Sequence, residues 1–93
     1  MKTVHKHEIP IDSEYTDLAV PEGANILTVE YLVTARSIFI WVEVPANLVA
    51  DKNIRRFKVF KSGDGIPEKY QHIGTTLDQY LPEAYHVYEV PVD

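Results

Sequence analysis

Along most of this chain apolar and polar residues alternate with a period of two rather than the 3.6 of an amphipathic helix. The clearest run is ILTVEYLVTARSIFIWVEVP, residues 26–45. Leu27, Val29, Tyr31 and Val33 share one strand face, and Ile38, Ile40, Val42 and Val44 share another. A short turn centred on Ala35 and Arg36 predicts a hairpin that sets Val33 against Ile38, Tyr31 against Ile40, Val29 against Val42 and Leu27 against Val44. A one-residue slip would invert the faces, so the pattern specifies which residues point inward. Ala-Arg lacks the Gly or Asn favoured in two-residue hairpin loops.

The same alternation predicts strands at Thr3–Ile11, Thr16–Val20, Ile54–Lys61, Ile73–Leu77 and Tyr85–Val92, with Phe57 and Val59 inward on the third of these. Pro21-Glu22-Gly23 ends the second, and Pro91 marks an edge or an end. Two helical turns are expected, one at NLVADK between Pro45 and Asn53 and one at Pro67–Gln71, where proline takes the first position. Six or seven short strands, separated by turns rather than long helices, predict an all-β or β-rich α+β fold. The expected form is an antiparallel sheet curled into a small sandwich or partly open barrel.

The hairpin register leaves Leu32, Phe39 and Trp41 on the face away from this core, beside Thr28, Glu30 and Glu43. A solvated sheet face is normally polar. Either another segment of the chain covers it, with the terminal strands the candidates, or it is a contact surface. The second reading predicts a homo-oligomer, a dimer built on Leu32, Phe39 and Trp41.

The size and composition fit one domain over residues 1–93. The chain is 45% hydrophobic, with ten aromatics, which argues against disorder. No apolar run approaches the roughly 20 residues of a membrane span, and MKTVHKHEIP lacks an apolar signal core, so a cytoplasmic protein is expected. Absence of cysteine excludes disulfides, thiolate metal sites and thiol nucleophiles. Fourteen acidic against nine basic residues, a net charge of −5, disfavours bulk coating of nucleic acid.

One stretch departs from that balance. RRFKVFKSGDGIP, residues 55–67, holds four of the nine basic residues within seven positions, directly before two glycines. Arg56 and Lys58 should share the outward strand face, while Arg55 and Lys61 flank the inward pair. Consecutive N–H groups in the turn at Gly63 and Gly65, with the basic side chains, are an expected phosphate site, and Trp41, Tyr70 and Tyr85 are available for base stacking. Asp64 opposes an anion there, and the spacing is not that of a P-loop. The alternative is a charged outer face and a glycine-stabilised turn. His5 and His7 share a strand face without a third ligand nearby in sequence, so no metal site is expected. His72 and His86 are isolated in sequence. No nucleophile with an orienting base stands out, carboxylates such as Asp12, Glu14 and Asp17 read as loop solvation, and neither an enzyme nor a cofactor is expected.

The run SIFIWVEVP, IRRFKVF, SGDGIP, HIGTTLD and AYHVYEV resembles a family of small proteins of unknown function encoded by bacteriophages and prophage-bearing bacteria. The match extends from the N-terminal strand to Glu89. It rests on Trp41, Arg55-Arg56-Phe57, the Gly63-x-Gly65-x-Pro67 turn, Ile73-Gly74-Thr75 and His86-Val87-Tyr88-Glu89. The resemblance implies a β-rich phage protein acting in the cytoplasm of an infected bacterium. It brings no established activity; a phage origin, the basic stretch at 55–61 and the face bearing Leu32, Phe39 and Trp41 together leave three functions expected. The first is a non-enzymatic binder that sequesters a phosphorylated or nucleotide-type host defence signal. The second is an inhibitor that docks on a host defence or nucleic-acid enzyme. The third is a minor structural or assembly protein.

Overall fold

The computed structural model describes residues 1–46 and 51–92. Seven strands form in chain order: β1 (Lys2–Ile9), β2 (Thr16–Pro21), β3 (Asn25–Leu32), β4 (Ser37–Pro45), β5 (Lys52–Lys61), β6 (Gln71–Asp78) and β7 (Glu83–Val90). They make two antiparallel sheets, a three-stranded one in the order β1-β4-β3 and a four-stranded one in the order β2-β5-β7-β6. The sheets face each other as a sandwich and do not close into a barrel.

Among the described residues there are no helices. The helical turn expected at Pro67–Gln71 is a tight turn instead. Tyr70 N donates to Pro67 O at 3.0 Å, and β6 begins at the next residue, so no second helical bond follows. The other expected helical turn, at NLVADK, falls mostly outside the described residues; its last residue, Lys52, begins β5.

The inward set of β4 is as the alternation predicts. Ile38, Ile40, Val42 and Val44 are all buried, and they pack with Ile9, Val29, Phe57, Tyr85 and Val87 as one core. The hairpin register is shifted by two residues from the expected one: Tyr31 pairs with Ile38 and Val29 with Ile40. The loop is longer than two residues, running from Val33 to Arg36, and Arg36 closes it with φ of +50°. A two-residue shift preserves the faces, which is why the pattern could not detect it.

Near the other end of β3 a bulge at Leu27 changes the faces. Ile26 takes the inward place opposite Val42, and Leu27 is 48% exposed, as is Val33 in the turn at 46%. Both were expected inside.

The two sheets touch most closely where β3 runs beside β6. Tyr31 N, on the side of β3 away from β4, donates to Thr76 Oγ1 at 2.9 Å, and the rings of Tyr31 and Tyr85 stack at 5.3 Å. Gly74 makes this approach possible. A Cβ at that position would lie 2.8 Å from Val29 Cγ2, closer than carbon atoms can pack. Neither terminal strand covers the outer face of the three-stranded sheet: β1 lies beside β4 in that sheet, and β7 lies in the other sheet.

Candidate functional site

The basic stretch forms β5 and the turn after it. Pairing places Arg55, Phe57, Val59 and Lys61 on the core side of the strand, and Arg56, Lys58 and Phe60 on the outer side. The expected division of the four cations is therefore the observed one, and it separates them. Arg55 forms a fork with Glu89, Nε to Oε2 at 2.8 Å and Nη2 to Oε1 at 2.6 Å, and Nη1 reaches Ala24 O at 3.3 Å. The Glu89 contact holds the guanidinium pKa above its usual value, against the effect of burial. Arg56 makes the same fork with Asp17 on the outer side, at 2.7 and 3.0 Å. There the guanidinium draws the Asp17 carboxyl below its usual range. Lys58 is free of any carboxylate contact among the described residues. Its Nζ donates to Glu14 O at 3.0 Å and lies over the Tyr15 and Phe60 rings at 5.3 and 5.6 Å.

The glycine turn is tight. Asp64 N donates to Lys61 O at 3.0 Å, and Gly63 sits at φ +95°, the glycine position of a type II turn. Gly65 does not share the positive φ. The Asp64 carboxylate accepts from Lys61 N at 2.8 Å, so the turn's own anion occupies a donor that a phosphate would use. Trp41 lies on the other sheet, on the outer face with Phe39, and is not brought to this stretch.

Folding assembles a constellation here that is scattered in sequence. His72 Nε2 lies 2.8 Å from Thr75 Oγ1, Thr75 Oγ1 lies 2.9 Å from His86 Nδ1, and His86 Nε2 lies 3.0 Å from Ser62 Oγ. Thr75 stands directly opposite His86 in the β6–β7 ladder. His72 and Thr75 are three apart and would point to opposite faces of a regular strand. A bulge at Ile73 turns His72 onto the same face. Cross-strand pairing could have suggested Thr75 with His86; no sequence signal placed the bulge.

Each hydroxyl has one proton and each neutral imidazole one N–H, so the chain can be satisfied in two senses. In one, His72 donates to Thr75, Thr75 to His86 and His86 to Ser62. In the other, every bond is reversed. The chain thus offers Ser62 either as a donor to the imidazole or as an acceptor from it.

Aromatic rings flank the chain. Tyr88 meets His72 at 5.2 Å and Phe60 at 5.5 Å, and Phe60 meets Tyr70 at 6.1 Å. The outer face of the four-stranded sheet therefore combines stacking surfaces, the Lys58 ammonium outside any carboxylate pair among the described residues, and hydroxyl and imidazole donors. Among the described residues no three His, Cys, Asp or Glu side chains are placed to hold a metal, and no helix is long and apolar enough to cross a membrane.

Over residues 1–93 the chain matches the model of a domain of unknown function, DUF7352, and belongs to that family. No curated protein matches it. No solved structure matches it.

Proposed function

We propose that this DUF7352 protein is a non-enzymatic binder of a phosphorylated, nucleotide-type ligand, held on the outer face of the four-stranded sheet. The observation that carries the reading is the chain from His72 through Thr75 and His86 to Ser62, set between Tyr88 and the turn at Gly63. A base stacks on Tyr88 and His72, an arrangement that tolerates any base because every base has a π face. The phosphate takes Lys58 and the Ser62 hydroxyl, with His86 as a further donor once its tautomer turns outward. Arg56 is held by Asp17, so it frames the site rather than contacting the phosphate, and Arg55, held by Glu89, lies on the other side of the strand. In an infected bacterial cytoplasm, the setting implied by the phage family the chain resembles, such a protein would sequester a nucleotide defence signal.

Calorimetry against a panel of cyclic and linear nucleotides tests this. Saturable heat is expected for at least one nucleotide, and it should disappear in both Lys58→Ala and His86→Ala. Heat with none of them, or heat unaffected by both variants, rules the reading out.

A second reading rests on the outer face of the three-stranded sheet. Phe39 and Trp41 lie there half-buried with ring centres 6.5 Å apart, and Lys6 reaches across them from β1 at 4.5 and 5.9 Å. With Leu32 on the same face, twofold pairing would bury the patch on both copies at once, and an inhibitor would present it to a host enzyme. The expected mass in light scattering is that of a dimer, reduced to 10.6 kDa by Trp41→Glu. A wild-type monomer excludes the dimer.

A further inference from the structure

A cleft of about 310 Å³ opens at the end of the sandwich where the β3–β4 turn, the start of the β1–β2 connection and the end of β5 come together. It is far from featureless. Tyr31 and Tyr85, stacked on each other, line it. Arg36 from the turn and Lys61 from β5 contribute two cations, neither of them in an ion pair among the described residues. Glu8 from β1 and Asp12 from the segment after it contribute two carboxylates, also outside any ion pair.

Two local features are costly for folding alone. Ser37, which also lines the cleft, is only 4% exposed, and its Oγ has no hydrogen-bond partner among the described residues. Arg36 holds a left-handed backbone at φ +50°, where a residue with a side chain is disfavoured and glycine is at ease. Strain of this kind gathers at binding sites. The two phenols keep their O–H at neutral pH, and burial and the nearby Asp78 carboxylate raise both above the usual phenol range.

We propose that this cleft binds a small zwitterion carrying one carboxylate and one ammonium group, an amino-acid-type ligand. The carboxylate lies against Arg36 and Lys61, and the ammonium lies against Glu8 and Asp12. A simple anion would meet two like charges, and so would a simple cation. Only a ligand of both signs pairs both sets, and the cleft's volume suits one of a few heavy atoms to about a dozen. The site is separate from the sheet face discussed above and does not depend on it.

The test is an amide NMR titration of the full chain with alanine and γ-aminobutyrate, and with propionate and propylamine as their single-charge counterparts. The zwitterions should give saturable shifts at Tyr31, Ser37, Lys61 and Tyr85, with the single-charge compounds binding about tenfold more weakly or less. Arg36→Gly relaxes the turn, so it should melt at or above the wild-type temperature and still bind at least about tenfold more weakly. Absence of shifts with both zwitterions would overturn the proposal. So would propionate binding as tightly as γ-aminobutyrate, or Arg36→Gly binding as tightly as wild type.

Discussion

The two outer faces of the sandwich solve the same problem differently. Among the described residues neither has a further strand over it, yet each carries large aromatics. On the four-stranded sheet Phe60 is 5% exposed, because Tyr70 and Tyr88 close around its ring and Lys58 crosses it. Tyr70, from the connection before β6, and Tyr15, beside Lys58, supply the cover from outside the sheet. On the three-stranded sheet, among the described residues, Phe39 and Trp41 have the stem and ammonium of Lys6 across them. One face is a small satellite core. The other is a patch left half open. An alternating pattern reads the two alike, because it reports which residues point outward and not what meets them there.

Truncation separates the two faces most sharply. Phe60→Ala should cost about 3 kcal/mol, as a buried aromatic does, while Trp41→Ala should cost about 1 kcal/mol. Urea denaturation measures both. Equal costs would mean that the two faces are packed to the same degree.

The paired arginines sharpen the same contrast at a smaller scale. Arg55 and Arg56 are neighbours with the same bidentate geometry, one turned toward the core and half-buried, the other on the open side. Arg55→Ala leaves Glu89 without its partner beside the core and should cost about 1–2 kcal/mol after allowance for its partial exposure. Arg56→Ala should cost less than can be resolved from wild type in the same experiment. A reversed order would show that the outward fork, which joins β5 to β2, contributes more than the inward one, which joins β5 to β7.

The smallest effect is a pH dependence on the three-stranded sheet. Burial, and to a lesser extent the neighbouring His5, lower the His7 pKa from its usual value of 6.5. The unfolded chain therefore binds this proton more readily than the folded one. His7's contribution to stability is complete above pH 6.5 and is lost as pH falls from there through the lower folded value. His7→Asn should flatten the stability profile in that window and leave it unchanged above. An identical profile in the variant would assign the acid sensitivity to other groups.

The extent to which sequence reveals this protein differs between its strands and its sites. All seven strands are legible, and so is the inward set on β4, because alternation is a property of each strand by itself. The division of Arg55 and Lys61 from Arg56 and Lys58 follows from the same period. The hairpin register and the two bulges are not legible. A shift of two residues leaves every face unchanged, and a bulge adds one residue that no local pattern marks. These are the features that decide the sites. The bulge at Ile73 brings His72 to Thr75, and the shifted register makes Arg36 the left-handed residue of a longer turn.

Sequence alone thus determined an all-β chain, the inward set of β4, and the side of β5 on which each of its charges lies. Period-two alternation is encoded residue by residue, and burial of apolar surface enforces it. Only the tertiary structure decided which charges are neutralised, as Arg55 is by Glu89 across 34 positions and Arg56 by Asp17 across 39. It also decided which hydroxyls and imidazoles meet. Both depend on strand order and on bulges, and these are settled by how two sheets fit together rather than by any one segment.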